Sequence, residues 1–318
     1  MVFVISIYDD FSTSDVLTWI RSKGETIIRI NNYEDIAYMF KCLGEELTNA
    51  QSDLMKSVTG VWFRRCPHFV PYPLNNRLDE NATANLLYYY KSEHKSLYDY
   101  LNSLLSTKRW LNNDETSAPS KIRQLDMAKS FDIMTPEYKI VGNKKSMKSF
   151  WEKCNRRSVV KPIQDAHHIP TSKGTFLQFT YLLKESDFND LPDVFFPCMM
   201  QKALDKNIEI RSFFIDGNFF SMGIISTVDK QTCVDFRRYN DIHPNRRIPF
   251  QLPKEIEQKL IRLMDSLHLN CGSFDLILDN HGDYYFLEVN PVGQFGMVSY
   301  PCNYYLEREI ANYLTQQQ

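Results

Sequence analysis

The first third of the chain alternates short apolar runs with apolar residues at helical spacing. Val2 to Ile7 and Thr26 to Ile30 are apolar runs of strand length. Between them the pattern predicts a helix that is capped by Ser14 and ends at Gly24. Val58 to Phe63 is a further predicted strand. Because this strand–helix–strand order is typical of parallel sheets, the pattern predicts an N-terminal parallel α/β domain.

Apolar positions between Leu86 and Leu105 keep helical spacing over many turns. This spacing favours a long packing helix. The alternative is a surface for a partner or for an oligomer such as a homodimer, which the tyrosines of this segment would suit.

The remaining chain divides at a polar, turn-rich stretch, residues 112–120. The segment 121–206 alternates predicted helices and strands and contains a polar loop from Gln164 to Gly174. Residues 207–318 combine long predicted strands with one clear amphipathic helix. The predicted organisation is therefore an N-terminal domain over 1–120 followed by two units, 121–206 and 207–318.

Composition argues against several classes of protein. The chain has 318 residues, a net charge of -2 and a pI of about 6.4, which provides no broad basic field for nucleic acid or an anionic membrane. Only 11 glycines occur, and none forms a GxGxxG or GxxxxGKS/T pattern. A Rossmann dinucleotide site or a P-loop is therefore not expected.

The cysteines and the hydropathy of the chain bear on its location. The 7 cysteines are odd in number and show no CxxC spacing, which is typical of reduced thiols rather than of disulfides or a zinc site. The N-terminus lacks the basic region of a signal peptide, and no stretch approaches the ~20 apolar residues of a membrane span. The sequence predicts a cytoplasmic protein.

The strongest candidate for chemistry is the segment GSFDLILDNHGDYYFLEVNP, residues 272–291. Two strand-like runs flank a turn signature, and a hairpin symmetric about His281–Gly282 places Asp275 opposite Glu288. Asn290 shares the face of Glu288, because strand side chains alternate with period 2. The segment therefore predicts two acids and an amide on one face of a hairpin.

Two facing acids repel each other unless something neutralises them. Carboxylate and amide oxygens suit Mg²⁺ or Mn²⁺, which would also bind phosphate oxygens and water. The alternative is an exposed hairpin face with solvated acids. Asp275 and Glu288 lie inside apolar runs, however, where an unpaired buried charge costs several kcal/mol, roughly. The pattern therefore favours a metal site.

Three cations extend this candidate site. Lys161 follows two β-branched residues in a predicted strand, where a cation either reaches solvent at a sheet edge or pairs with an anion. Arg211 and Arg237 lie in the short motifs EIR and DFR, and arginine suits bidentate binding of phosphate. Ordinary surface ion pairs are the alternative for either arginine alone. Together with the hairpin acids, the cations indicate a site for a metal-bound polyphosphate between two domains.

The order of these motifs resembles that of the ATP-grasp ligases over most of residues 120–300. The matching segments are VVKP (159–162), QKAL (201–204), EIR (209–211), DFR (235–237), Asp275 and the ending from Phe286 to Pro291. The resemblance implies the ATP-grasp fold, an α/β class, with a small central α+β domain and a C-terminal α+β domain. The nucleotide would lie between those last two domains.

The resemblance also implies ATP and Mg²⁺ as cofactors, with Mn²⁺ as a substitute metal, and a role for each matching residue. The metal ligands would be Asp275, Glu288 and Asn290. The residues that would bind ATP are Lys121, Lys161, Gln201, Lys202, Ala203, Leu204, Glu209 and Arg237. The residues with catalytic roles would be Arg237, Arg211 and Lys161.

Val61 to Arg65, VWFRR, resembles an element of the graspetide-forming peptide maturases, the microviridin-type and grasp-with-spasm ligases. This resemblance implies a precursor peptide, with leader and core, whose Asp or Glu side chains are activated with ATP. Ester rings with Ser or Thr, or amide rings with Lys, would then close. Two alternatives stay open: a carboxylate–amine ligase of glutathione-synthetase or ribosomal-protein glutamate-ligase type, and a nucleotide-binding scaffold without turnover.

The loop from Gln164 to Gly174 departs from the family pattern, in which the phosphate-covering loop is often glycine-rich. Here the loop has a single glycine and carries His167 and His168. A catalytic role and a plain solvent-exposed pair both stay open for these two histidines.

Overall fold

The computed structural model describes residues 1–69, 79–113, 120–164, 168–172, 174–238 and 240–316. The chain forms two compact units: Met1–Ser117 with Tyr305–Gln318, and Ala118–Tyr304. The C-terminal segment Tyr305–Gln318 therefore folds with the N-terminal unit, whereas the predicted organisation places it with the rest of 207–318. The predicted separation of 121–206 from 207–318 stays a prediction.

The secondary structure follows the chain in this order. The strands are β1 (Val2–Ile5), β2 (Ile27–Ile30), β3 (Gly60–Phe63), β4 (Arg109–Leu111), β5 (Tyr138–Asn143), β6 (Ser158–Lys161), β7 (His168–Thr171), β8 (Gly174–Leu177), β9 (Tyr181–Leu182), β10 (Val194–Lys202), β11 (Lys206–Ile215), β12 (Asn218–Ile225), β13 (Arg246–Phe250), β14 (Cys271–Asp279) and β15 (Tyr284–Asn290). The helices are α1 (Phe11–Ser22), α2 (Tyr33–Thr48), α3 (Asp53–Ser57), α4 (Glu80–Leu105), α5 (Lys121–Ser130), α6 (Lys144–Lys153), α7 (Asp187–Asp190), α8 (Lys254–Ser266), α9 (Gly296–Cys302) and α10 (Leu306–Thr315).

The first unit is built on a parallel sheet of order β2-β1-β3-β4. Strand β1 pairs in parallel with β2 and β3, and β3 pairs in parallel with β4. Every residue of β1 and of β3 is buried, as expected for strands that are covered on both faces. The predicted N-terminal parallel α/β layer is confirmed.

Helix α1 begins earlier than the sequence predicts. Asp10 is its N-cap, and the Asp10 carboxylate accepts the backbone N–H of Thr13 at 3.4 Å. The prediction that Ser14 caps this helix was wrong. The apolar pattern begins only at Val16, so it marks the buried face of the helix and not the point where the backbone becomes helical.

Helix α4 packs through its C-terminal half. Its buried residues are His94, Tyr98, Leu101 and Leu105. The Tyr98 ring meets Tyr33 of α2 edge-on at 5.8 Å, and the Tyr100 ring stacks on Phe40 at 5.7 Å. The predicted packing helix is confirmed. Among the described residues, neither α4 nor any other helix has the length and apolar character needed to cross a membrane.

The second unit contains two antiparallel sheets and a short hairpin. The smaller sheet has the order β5-β10-β6-β9, and helix α6 packs against β5 and β10. The larger sheet has the order β13-β12-β11-β14-β15. One face of the larger sheet lies on an apolar core that includes Phe214, Phe274 and Phe286 from its strands and Leu260 and Leu263 from α8. Its other face carries both buried apolar side chains, such as Phe213 and Met222, and the charged side chains described below.

The polar segment Gln164–Gly174 is not simply a loop. Strand β7 pairs with β8 in an antiparallel hairpin, with Thr171 opposite Gly174. The prediction of a loop was wrong for His168–Thr171, which pairs with the following strand through its backbone. His167 lies outside the described residues, as does the side chain of His168.

Candidate active site

Three charged side chains form a row across the larger sheet. Arg211 of β11 pairs with Asp275 of β14, and Asp275 pairs with Glu288 of β15. Directly paired residues of antiparallel strands point to the same face, and Phe274, one position along, points into the core on the other face. The predicted meeting of Asp275 and Glu288 is therefore present, with an arginine beside it.

The pairing of the two acids depends on a β-bulge. Near the turn, Leu278 pairs with Tyr284 and Leu276 with Phe286, a register centred on a single residue, His281. The register shifts between Leu276 and Asp275, because the partner strand has one extra residue at Leu287. A hairpin symmetric about His281–Gly282 is therefore wrong near the turn, and the bulge produces the expected pair further along.

Each acid of the row also contacts a cation. Arg211 Nη1 lies 3.4 Å from Asp275 Oδ1, and Lys121 Nζ lies 2.7 Å from Glu288 Oε2. The side chains of Asp275 and Glu288 are 21% and 25% exposed. Within the described part of the chain, Asp275 Oδ2 and Glu288 Oε1 accept no hydrogen bond. Two carboxylate oxygens on neighbouring strands thus remain available to a ligand.

Asn290 lies two positions beyond Glu288 and pairs with Ser273. Its Oδ1 accepts the backbone N–H of Val292 at 3.0 Å, which leaves a second lone pair. Among the described residues, no group of three His, Cys, Asp or Glu side chains could hold a metal. Two carboxylates and one amide fit Mg²⁺ only if phosphate and water complete the coordination, which is how proteins commonly bind this ion with nucleotides.

The two acids differ in proton affinity. Burial raises the pKa of Asp275 to about 6, an effect that Arg211 opposes and the neighbouring Glu288 charge reinforces. Burial also raises the pKa of Glu288, but the positive charges of Lys121 and Lys161 outweigh it, and that pKa is lowered. A cation bound between the acids would therefore compete with a proton mainly at Asp275.

Lys161 and Arg237 bring further positive charge to the acids. Burial lowers the pKa of Lys161, while the charge of Glu288 opposes this effect. Arg237 is held by a salt bridge to Asp235, 2.6 Å from Nη2 to Oδ2, and this bond raises the pKa of Arg237. Arg237 also interacts electrostatically with Glu288 and Asp275. Such a collection of cations around two acids suits a polyanion that carries a metal.

The predicted adenine segment lies where β10 leaves its sheet. Gln201 pairs with Tyr138 and Val159 within the sheet. The backbone N–H of Lys202 donates to the backbone carbonyl of Glu137 at 2.8 Å, and that of Ala203 donates to the backbone carbonyl of Arg157 at 3.0 Å. Within the described residues the N–H of Leu204 has no acceptor, so Leu204 offers the donor that a nucleobase could use.

Glu209, the remaining predicted ATP-binding residue, is already engaged. Its Oε1 accepts from Lys206 Nζ at 2.6 Å and from Ser226 Oγ at 2.5 Å. Glu209 is two positions from Arg211 on β11, so its side chain shares the face of the charged row. The structure therefore places Glu209 beside the row, with one of its oxygens bound to a lysine.

Gln124 also belongs to this region, although no sequence motif marks it. Gln124 Oε1 accepts the backbone N–H of Val289 at 2.7 Å, and Nε2 donates to the Val289 carbonyl at 3.1 Å. Val289 lies between Glu288 and Asn290, so Gln124 replaces a neighbouring strand at this sheet edge. The sequence did contain one signal for Gln124. It lies three residues after Lys121 on α5, and residues at this spacing share a helix face, so Gln124 points to the same side as a predicted site residue.

The whole chain is similar to solved structures of ATP-grasp ligases. The sequence matches no protein-family model, and no curated protein matches it. The macrocyclase MdnC bound with precursor peptide MdnA, from Microcystis aeruginosa MRC, is 21% identical, with a TM-score of 0.74 over 99% of each chain. A Chryseobacterium gregarium RiPP-associated ATP-grasp ligase, in complex with ADP and a leader and core peptide, is 21% identical, with a TM-score of 0.74 over 98% of this chain and 94% of that chain.

The ATP-grasp ligase PsnB, complexed with minimal precursor, Mg and ADP, is also similar. It is 15% identical, with a TM-score of 0.69 over 98% of this chain and 96% of that chain. Since these similarities span nearly the full length of each chain, the protein has the ATP-grasp fold, as its motifs predict. At these identities the likeness establishes the fold and not the substrate.

Proposed function

We propose that this protein is an ATP-dependent ligase that closes rings in a ribosomally made precursor peptide. The observation that carries the proposal is the row of Arg211, Asp275 and Glu288 with its two available carboxylate oxygens, flanked by Lys161 and Arg237. The whole-chain similarity to a macrocyclase bound with its precursor peptide supports a peptide as the substrate.

In the proposed reaction, a side-chain carboxylate of the peptide attacks the γ-phosphorus of ATP, which gives an acyl phosphate and releases ADP. A Ser or Thr hydroxyl of the same peptide, or a Lys amine, then displaces phosphate and forms an ester or amide. Lys161 and Arg237 would hold the phosphates and stabilise the charge that develops during transfer. Arg211 would stabilise the same charge from the sheet face.

Asp275, Glu288 and Asn290 would hold Mg²⁺. When bound, the ion would neutralise charge on the β- and γ-phosphates. Lys121 would keep Glu288 ionised and oriented, and Leu204 would donate its backbone N–H to adenine, with Gln201 to Ala203 shaping the pocket edge. The contacts of these residues support the proposed assignments.

The test is co-expression with the short peptides that neighbouring open reading frames encode, among which a Thr- and Glu-rich core is the expected substrate. Mass spectrometry is expected to show the loss of one water per ring. A gain in mass equal to an amino-acid residue, the amino acid less one water, would instead support a carboxylate–amine ligase. An unchanged peptide, with no ADP release in the presence of any peptide or amine, would favour a nucleotide-binding scaffold.

A homodimer and a cytoplasmic location are also part of this proposal. Tyr88 and Tyr89 of α4 are 77% and 55% exposed, which leaves aromatic surface for a second copy. Sedimentation equilibrium tests the dimer, and a mass of 37.5 kDa at micromolar concentration would contradict it. The supply of ATP and the free thiols of the described cysteines favour the cytoplasm.

A further inference from the structure

Asp235 lies in the long loop between β12 and β13, and its side chain is 4% exposed. Its Oδ1 accepts from the Arg237 backbone N–H at 3.1 Å and from Arg237 Nε at 2.8 Å. Its Oδ2 accepts from Arg237 Nη2 at 2.6 Å and from the backbone N–H of Thr180 at 2.9 Å. One buried carboxylate therefore joins Arg237 to a distant segment of the chain.

Thr180 belongs to the short connection between β8 and β9. Strand β8 closes the β7–β8 hairpin, and β9 pairs with β6, the strand that carries Lys161. The neighbouring Phe179 ring lies 5.2 Å from the guanidinium carbon of Arg238. The loop that presents Arg237 thus contacts the base of the hairpin at two successive residues.

We propose that Asp235 is a positioning residue that couples the orientation of Arg237 to the docking of residues 179–180. The coupling to phosphate binding depends on the function proposed above, because it assigns Arg237 to the phosphates. The contact between Asp235 and Thr180 does not depend on that function. Docking of residues 179–180 on the loop and orientation of the Arg237 side chain by Asp235 are then one event.

Among the described residues, Asp235 is the hydrogen-bond partner of the Arg237 side chain. Within the described part of the chain, its hydrogen bonds are those to Asp235, although 44% of the side chain is exposed. An asparagine at position 235 has a single acceptor oxygen. In either orientation of its amide, the NH₂ group faces one donor of the Arg237 side chain, Nε or Nη2, and that hydrogen bond is lost. In one of the two orientations the NH₂ group also faces the Thr180 N–H.

The test compares Asp235→Asn with a matched change in the same loop, Asp229→Asn. Asp229 accepts from the Gln231 N–H at 2.6 Å and from Asn240 Nδ2 at 2.5 Å, so its loss also loosens the loop but leaves Arg237 alone. For Asp235→Asn we expect about a tenfold rise in the dissociation constant of Mg·ADP, measured by calorimetry. We also expect about tenfold faster hydrogen exchange at the Thr180 amide. Asp229→Asn is expected to stay near the wild type in both measurements.

A double-mutant cycle with Arg237→Ala separates positioning from loosening. In the Arg237→Ala background, Asp235→Asn should change ADP affinity less than about twofold. Fully additive losses of affinity, or unchanged exchange at Thr180, would overturn the coupling. Should Asp235→Asn not fold, Asp235→Glu keeps the charge and should bind ADP within about threefold of wild type.

Failure of the two proposals gives different results. If the wild-type protein binds no ADP, the proposed function fails and the coupling to phosphate binding fails with it. If the wild type binds ADP and Asp235→Asn binds it equally well, only the coupling is refuted.

Discussion

Asp275 and Glu288 are adjacent, but their neighbours give them different roles at the scale of single residues. Lys121 and Lys161 keep Glu288 ionised, whereas burial raises the pKa of Asp275 to about 6. Of the two acids, Glu288 is therefore the one that keeps its negative charge to the lower pH. Loss of that charge should show most clearly in any reaction that needs a cation at this position.

We expect Glu288→Gln to lower the rate of ADP release with Mg·ATP and peptide a hundredfold or more. This corresponds to about 3 kcal/mol, the typical effect of removing one electrostatic stabiliser. Steady-state kinetics with a coupled ADP assay measures it. Asp283→Asn, in the exposed turn of the same hairpin, is the matched control and should keep wild-type activity. Wild-type turnover by Glu288→Gln would remove Glu288 from the proposed metal site.

The VWFRR motif has a structural role that is visible at its arginines. Arg64 Nε and Arg65 Nε each donate to Asp10 Oδ2 at 3.1 Å. Burial alone would raise the pKa of Asp10, but Arg64, Ser12 and Arg65 lower it to about 2. Asp10 is thus ionised when folded and binds the end of β3 to the start of α1.

This pairing predicts a pH-dependent contribution to stability. Because the folded pKa of Asp10 is below its ordinary value of 3.8, the stabilisation is complete above about pH 4 and is lost as the pH falls toward 2. Asp10→Asn should lower the free energy of unfolding by about 2 kcal/mol at pH 7, and by less at pH 3. Urea unfolding of the variant and of the exposed control Asp9→Asn measures this. A pH-independent difference would contradict the ion-pair explanation.

At the scale of elements, the edge strand β15 is completed by a side chain. An edge strand leaves backbone N–H and C=O groups unpaired, and Gln124 satisfies both groups of Val289. Three residues earlier in β15, the backbone N–H of Phe286 donates to the backbone carbonyl of Met134 at 2.8 Å. The segment that begins with α5 therefore covers the edge of the strand that carries Glu288 and Asn290.

Gln124→Leu keeps the volume of the side chain but removes both hydrogen bonds. We expect it to destabilise the second unit by about 2–4 kcal/mol, since two buried backbone groups lose their partners. The Val289 amide should also exchange faster with solvent, which hydrogen-exchange mass spectrometry measures. Gln258→Leu, an exposed change on α8, should have little effect. Unchanged exchange at Val289 would show that Gln124 does not hold the strand.

At the scale of the whole molecule, the two ends of the chain fold together in the first unit. Helix α10 packs against α1 and β3, and Thr59 Oγ1 donates to the Leu314 carbonyl at 3.0 Å. Gly60 allows this approach, because a Cβ there would lie 2.5 Å from the Leu314 carbonyl oxygen. The first unit is therefore complete only when the C-terminal helix has been added.

Gly60→Ala should force α10 away from β3 and destabilise the first unit by about 1–3 kcal/mol, the usual range for overpacking. Thermal unfolding followed by circular dichroism measures the change. Gly142→Ala is the control, since a Cβ at that strand position meets nothing closer than 3.4 Å. Equal stability of both variants would contradict the close packing of α10 on β3.

The sequence alone identified the features that depend on residues close together in the chain. Apolar runs and turn residues located the hairpin of β14 and β15, because the period of side chains along a strand is a local property. The residue types Asp, Glu, Asn, Lys and Arg in a recognisable order indicated the ATP-grasp fold, which the full-length similarity to solved structures confirms. The site roles of those residues stay predictions.

Tertiary structure alone decided the contacts between residues that are far apart in the sequence. Gln124 and Val289 are 165 positions apart, and Thr180 and Asp235 are 55 apart, so no local period could pair them. The bulge at Leu287 likewise depends on the pairing of β14 with β15, and it sets the register in which Asp275 lies opposite Glu288. Long-range contacts form only when the chain has buried its core, which is why their partners are absent from the sequence pattern.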